Sequence, residues 1–415
     1  MSNEISGNTL SYFIPDPGRR KANIRVPESH SLHVCPSACS RRNAIHALER
    51  GDKENVSFLY ITETDVVSGH YEEIIGDAVQ QLLGILKQKP KIFLLYVNCI
   101  DDFLGTDENA LLMALRKRFP ALRFALCHIN PVSLGKKIMP GMLLHSKLFS
   151  FLEPSEKRDN GVNLIGNFVS PDPDCELLKL LEKWGAGPIR QLFECKSYEQ
   201  YEDMARSKLN LVQMFMGELA AQEMERKIGT PYHNNYISYD PDDIAQNYCV
   251  IAGLLGKERP DFSEDIAAAR EEIETTRIAL DGFPVVIDSS ATMRPFALVK
   301  MLICSGFNVQ YVFAMRLRDI DLPDVNWLKE NNPDLKIQRT ESYEGILGFG
   351  IDQDCICIGR DSAYMLQARH YVDMWHDEGF YGFHGVQKLM RMLRTAAATD
   401  AKWPELPIPG KNGKD

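Results

Sequence analysis

Strands recurring between amphipathic helices constrain this chain more than any other feature of its sequence. VSFLYIT (56–62) reads as a strand, YEEIIGDAVQQLLGILKQ (71–88) as an amphipathic helix, and KIFLLYVN (91–98) as a buried apolar strand. ENALLMALRKRF (108–119) and LRFALC (122–127) continue as helix and strand. An unbroken apolar strand has both faces covered, and a helix between consecutive strands forces a crossover. The alternation therefore predicts parallel sheets covered by helices.

The pattern restarts twice. From about Gly161 come the strand VNLIGNFV, the helix CELLKLLEKWG and the strand IRQLFE, then a helical stretch broken near Gly217 and closed at Gly229-Thr230-Pro231. DPDDIAQNYCVIAGLLG and the stretch after it read as two helices with carboxylates in their first turns, where the helix dipole favours them. A third block runs from FPVVIDSS through FNVQYVFA to DCICIG. The expected fold class is α/β: three doubly wound α/β domains with mostly parallel sheets. The expected boundaries are an extended N-terminal arm and cluster loop over 1–50, α/β domains over 51–160, 161–280 (with helical segments) and 281–398, and a loose tail over 399–415. A length of 415 residues agrees with two or three cores.

A net charge of −10 argues against nucleic acid as a partner, because such proteins carry a basic surface for phosphates. No apolar run has signal-peptide or membrane-spanning length, so a cytoplasmic protein with no membrane partner is expected. Ten cysteines without the spacing of a disulfide framework suit a reducing compartment.

In parallel α/β sheets, functional residues gather in loops at the carboxyl ends of strands. Cys99 sits there, ending KIFLLYVN and opening CIDDFLGTD. HVCPSACSRRNA (33–44) carries Cys35 and Cys39 without a CxxC spacing, so it is not half of a zinc ribbon. Cys99 alone reads as a buried thiol capping a strand. Together with Cys35 and Cys39, each placed on a loop, it completes a set of three thiolates suited to one iron-sulfur cluster. Asp101 and Asp102 read as carboxylates of a solvated loop. Arg41 and Arg42 read either as surface ion pairs or as contacts to a cluster or partner. Cys355 and Cys357 are expected on opposite faces of a buried strand, as core residues. Cys127 and His128 end a strand near the site, with no role assigned, and Cys175, Cys195, Cys249 and Cys304 read as packing.

HVCPSACSRRNA, TETDVVSGH and VNCIDDFLGTD, in that order, resemble the cluster-binding region of nitrogenase component 1 and its relatives. That family shows a Cys followed by paired arginines and Asn, a Thr/Asp segment with Val and Gly, and a strand ending in Cys before an Ile-Gly-Asp loop. VNLIGNF, SKLNLVQMF, MERKIGTPY and GFYGFHGVQKLMRML follow in the family's order, so the resemblance covers nearly the whole chain. It implies three α/β domains, a like subunit (a second copy or a paralogue), and an iron-sulfur cluster at their interface, either [4Fe-4S] or larger. It also implies a separate ATP-dependent iron-sulfur reductase that docks over that interface. By position, Cys39 matches the cysteine before the paired arginines and Cys99 the one ending the strand. Cys35 falls where the family varies.

Nitrogen-fixing members hold a second cofactor through a mid-chain cysteine and a late histidine. Those positions fall at Gln213-Met214 and at Tyr381 here, with His384 about one helical turn away. The resemblance therefore implies a nitrogenase-like reductase subunit that does not fix nitrogen, passing low-potential electrons through the cluster to a small-molecule or cofactor substrate. His70, His376 and His384 are the candidate proton donors. A scaffold for cluster or cofactor assembly, or a non-catalytic partner subunit, is the alternative. The chain has no GxxxxGK[ST], so ATP would be used by a separate protein.

Overall fold

A computed structural model describes residues 24–49, 51–68, 70–128, 138–339 and 354–400. The first sheet arises from β1 (Ser29–Cys35), α1 (Ser37–Glu49), β2 (Val56–Tyr60), α2 (Glu63–Val67), α3 (Tyr71–Ile85), β3 (Ile92–Val97), α4 (Cys99–Leu104), α5 (Glu108–Arg118) and β4 (Arg123–His128). Its four strands are all parallel, in the order β2-β1-β3-β4. On one face Leu32, Val34, Phe93, Leu95 and Leu126 pack with Ile75 and Val79 of α3 and Leu111 and Leu115 of α5. The alternation of these apolar positions along each strand is the period of the pleat.

Residues 29–49, expected within an extended arm, are instead an inner strand and a helix. SHSLHVC hides β1 because its buried positions include polar ones, and those groups find partners inside. Ser29 Oγ donates to the Val26 carbonyl at 2.5 Å, and the His30 ring meets Ser57 Oγ at 2.8 Å. A buried polar residue is tolerated when bonded, and such a strand then lacks an apolar signature. The rest of the expected arm, residues 1–23, and the tail from 401 lie outside the described residues.

The second sheet follows from α6 (Pro140–Phe149), β5 (Val162–Ile165), α7 (Glu176–Lys183), β6 (Ile189–Gln191), α8 (Tyr198–Glu202), β7 (Leu209–Val212), α9 (Glu218–Ile228) and β8 (Tyr232–Asn234). It is parallel, in the order β6-β5-β7-β8. Asn163 and Asn210, in register on β5 and β7, bond to each other at 2.7 Å within the core. At the carboxyl ends of these strands Gly166 takes φ +90, and a Cβ there would lie 2.5 Å from the Met214 carbonyl. Only glycine permits that approach.

The third sheet comprises α10 (Pro241–Leu254), α11 (Ser263–Leu280), β9 (Val285–Asp288), α12 (Pro295–Cys304), β10 (Val309–Phe313), α13 (Leu322–Asn331), β11 (Lys336–Gln338), β12 (Ile356–Ile358), α14 (Arg360–Leu366), β13 (His370–Val372) and α15 (Gly382–Ala397). Its order is β11-β10-β9-β12-β13, again parallel. Cys355 and Cys357 are core residues but not on opposite faces. Positions two apart share a face of the pleat, and their sulfurs lie 3.9 Å apart.

The described residues form two compact units. One carries the first two sheets and runs to Ser170, then from Leu181 to Tyr236. The other takes Pro171–Leu180 and the chain from Ile237 onward. Helices α10 and α11, expected with the 161–280 block, therefore belong with the third sheet. Arg394 of α15 reaches Glu272 of α11 at 2.5 Å, and Thr276 Oγ1 donates to the Met390 carbonyl. An amphipathic helix docks on whichever apolar face is available, and sequence adjacency does not fix which. No helix among the described residues is long and apolar enough to cross a membrane.

Candidate functional site

β1 and β3 are neighbours with Val34 opposite Val97, so both chains leave the first sheet at the same edge. Cys35 closes β1. Cys39 lies in the first turn of α1, its N–H donating to the Pro36 carbonyl at 3.0 Å. Past β3, Asn98 Oδ1 accepts from the Ile100 N–H at 2.9 Å, and this cap makes Cys99 the first residue of α4. None of the three thiols sits on a loop as expected: one ends a strand and two open helices. All three lie at the carboxyl edge of one sheet.

Their settings differ. Cys35 is buried, Cys39 exposed and Cys99 half-buried. Burial, with Cys39 adding to it, pushes the Cys35 thiol up to about 11. Two residues earlier, His33 is stacked between Tyr96 and Phe58, with ring centroids 4.6 and 5.2 Å away. Burial holds its pKa down at about 4. Ile45 and Leu48 of α1 and Phe103 and Leu104 of α4 remain exposed on the helices that start at the thiols.

Asp101 is not on a solvated loop. It is 3% exposed on α4, with its Oδ2 3.9 Å from Nδ1 of His128 at the end of β4. The other ring nitrogen of His128 is 3.5 Å from Glu108 Oε2, and Glu108 Oε1 accepts from Lys147 at 2.6 Å. Contact with His128, together with the Lys147 ammonium, holds Glu108 down at about 2. Arg41 is exposed, and the side chains of Arg42 and Asp102 lie outside the described residues.

At the carboxyl edge of the second sheet, Gln213 and Met214 are both buried, and Gln213 Nε2 has no partner among the described residues. His145 of α6, 3% exposed, meets Phe168 edge-on at 5.9 Å, and its Nδ1 is likewise unpartnered. Burial lowers its pKa from 6.5 to about 4. The folded state thus binds its proton later than the unfolded chain, and its contribution is present above pH 6.5 and lost as pH falls toward 4. From pH 7 to 5 this one group removes about 2 kcal/mol. His145→Leu is expected to lose correspondingly less over that interval in urea denaturation. An equal loss in both proteins would refute the assignment.

The second unit holds a polar cluster that sequence reasoning missed. The Asp377 carboxylate, 6% exposed, accepts from the Tyr239 hydroxyl and, at 2.8 Å, from the Met293 N–H. Asp377 has φ +59 and His376 φ +44, and the turn is fixed by the His376 N–H donating to the Ser290 carbonyl at 2.8 Å. Among the described residues, neither the hydroxyl of Tyr381, which is 8% exposed, nor the Nε–H of Arg294 has a hydrogen-bond partner. Burial raises the Tyr381 phenol strongly, Cys175 and Asp377 add to it, and Arg294 acts against it. Arg294 and Asp377 thus lie within electrostatic reach of the phenol. The available signal was VVIDSSATMRP, where β9 ends and the carboxyl-end rule applies.

His384 Nε2 is 3.6 Å from Asp172 Oδ2, which also accepts from Lys388 at 2.7 Å. His376 is half-buried on the strained turn. His70 lies in the other unit, where it is exposed at the start of α3 and meets Glu73 at 2.9 Å. His70 thus belongs to the same unit as the three thiols, and His376 and His384 to the other.

The sequence model of nitrogenase component 1 type oxidoreductases matches residues 23–397. This chain belongs to that family. Among its relatives is the nitrogenase iron-molybdenum cofactor biosynthesis protein NifE of Clostridium pasteurianum. It is 25% identical over 256 residues, which cover 58% of this chain but only 53% of that protein. NifE of Rhizobium meliloti (strain 1021) is 22% identical over 355 residues, covering 80% of this chain and 73% of the relative. Among solved structures, nitrogenase Cp1 at pH 6.5 aligns with a TM-score of 0.69 at 16% identity, over 96% of this chain and 93% of that one. The α/β architecture of parallel sheets is the family's.

For a metal group, the relevant donors are the three thiols. No cluster of three His, Cys, Asp or Glu among the described residues is arranged for a single metal ion. Thiolates are the ligands an iron-sulfur cluster takes, so Cys35, Cys39 and Cys99 are the residues that could hold one.

Proposed function

We propose that this chain is a subunit of a nitrogenase-like two-component reductase. In this reading Cys35, Cys39 and Cys99 hold an iron-sulfur cluster that receives electrons from a separate ATP-dependent iron-sulfur reductase. The observation that supports it is that β1 and β3 are neighbours in one sheet and the three thiols lie at or just past their carboxyl ends. When bound, the cluster supplies one-electron chemistry at low potential.

The chain's own residues supply the rest. Asn98 caps α4 and so orients Cys99, and Cys35 must give up its proton on ligation, which couples binding to pH. Three cysteines leave a four-iron cluster one ligand short, so a like subunit would complete it. The exposed Ile45, Leu48 and Phe103 on helices α1 and α4 are consistent with a covered face there. In the second unit, the Tyr381 hydroxyl and Arg294 Nε, without partners among the described residues, are donors for an organic substrate.

A second reading is favoured by the relatives, whose names assign them to iron-molybdenum cofactor biosynthesis. In it the protein is a scaffold that holds a cluster or cofactor for another protein.

Anaerobic purification tests both. The expected protein is brown, contains iron and acid-labile sulfide, and sediments above 47.1 kDa. A colourless, iron-free protein from iron-replete anaerobic cells would end both readings. Neither an amide, a thioether nor a protonated phenol matches a thiolate or imidazole as a soft-metal ligand, so Gln213, Met214 and Tyr381 should leave it without molybdenum. No labelled ammonia is expected from labelled dinitrogen. ATP-dependent reduction of the cluster by the separate reductase, followed by its reoxidation on adding substrate, supports the reductase, whereas transfer of the group to an acceptor without ATP supports the scaffold.

A further inference from the structure

His128 faces carboxylates on two helices, and one of those carboxylates reaches a third helix. It ends β4, and its register partner on β3 is Val97, two residues before Cys99. One ring nitrogen faces Asp101 of α4 at 3.9 Å and the other faces Glu108 of α5 at 3.5 Å. Glu108 in turn accepts from Lys147 of α6 at 2.6 Å. Asp101 is 3% exposed, so it has little water to replace the imidazole if the ring is removed. Both contacts are at ion-pair distance, and an interaction with a carboxylate as buried as Asp101 is screened less by water than a surface pair would be.

We propose that His128 is a positioning residue for Cys99. By tying α4 to α5, and through Glu108 to α6, its ring fixes the helix whose first residue carries the thiol. This rests on the cluster reading for its purpose, but the positioning itself is measurable without a cluster. Helix α4 has only six residues and could not hold its own orientation, since nucleating a helix is unfavourable and short ones are marginal alone. Asn98 fixes its start, and the His128 bridge fixes its body.

The test measures alkylation of individual thiols by iodoacetamide in the full-length, chelator-stripped protein, read by mass spectrometry with exposed Cys304 as the internal reference. For His128→Ala, Cys99 is expected to react about tenfold faster relative to Cys304, as local opening of α4 becomes easier. Far-UV circular dichroism should be unchanged. His128→Gln keeps one polar arm of the bridge and should give an intermediate rate. In iron-loaded protein the same variants should shift the electron paramagnetic resonance signal of the reduced cluster.

If even the unmodified protein takes up no iron while Cys99 still responds to His128→Ala, the cluster reading falls and the positioning role stands. If His128→Ala exposes every thiol by unfolding, the Cys99 to Cys304 ratio in His128→Gln and Glu108→Gln decides. A ratio unchanged in the folded variants overturns the proposal.

Discussion

Cys39→Ala and Cys99→Ala are each expected to lose most of the iron and acid-labile sulfide of the anaerobically isolated protein, with the visible absorbance of the cluster falling in step. A chain that contributes three thiolates to a four-iron cluster cannot lose one and keep the same grip, because the remaining ligands must then hold a group designed for more donors. Cys35→Ala should lose iron too, but less predictably. Its thiol is buried and raised to about 11, so ligation must first remove a tightly held proton. Cys304→Ala is the control. That thiol is exposed in the unit of the third sheet, and its loss should leave iron unchanged. Full iron content in both Cys39→Ala and Cys99→Ala would remove the basis for a cluster at this edge.

The parallel α/β architecture was legible because apolar strands and amphipathic helices leave distinct periods in sequence, as KIFLLYVN and YEEIIGDAVQQLLGILKQ do. β1 was not, because Ser29, His30 and Ser31 are buried within it, and the hydrogen bonds that hold Ser29 and His30 there are ones no sequence window displays. The three thiols were singled out by type and order, yet the helical setting of Cys99 depends on a cap. Asn98 turns what reads as a loop into the start of α4. Asp101 looked solvated because His128, which faces it, is distant in sequence and comes near only through the pairing of β4 with β3. The polar cluster of the second unit joins Tyr239, Met293 and Asp377, and no local pattern links residues so far apart. Tyr381 and Gln213 were flagged only by their place in a resemblance. Their unpartnered polar atoms appear once the chain is folded.

Gly382→Ala is expected to destabilise the protein far more than an alanine at a helix end usually does. Gly382 opens α15 at φ +59, and a Cβ on it would lie 1.8 Å from Glu176 Oε1 and 2.1 Å from the Tyr248 hydroxyl. Glu176 is the anchor of that helix: Oε1 accepts from Tyr248 at 2.8 Å and from the Phe383 N–H at 2.6 Å, and Oε2 from the His384 N–H at 3.2 Å. A carboxylate there satisfies first-turn N–H groups and meets the positive end of the helix dipole. Displacing it removes a cap worth about 1 kcal/mol, leaves the buried Tyr248 hydroxyl unbonded at about 2 kcal/mol, and adds about 1 kcal/mol of backbone strain. Together these give about 4 kcal/mol, or about 5 °C in melting temperature for a chain of 415 residues that melts as one. Gly282→Ala separates the parts. Its φ is +78 with nothing within 4 Å of a Cβ, so only the strain of about 1 kcal/mol applies. Because the clash acts through one carboxylate, adding Gly382→Ala to Glu176→Ala should cost much less than Gly382→Ala alone. If Gly382→Ala melts no lower than Gly282→Ala, then Glu176 does not pin α15. The placement of Tyr381, which immediately precedes this helix, would then need another explanation.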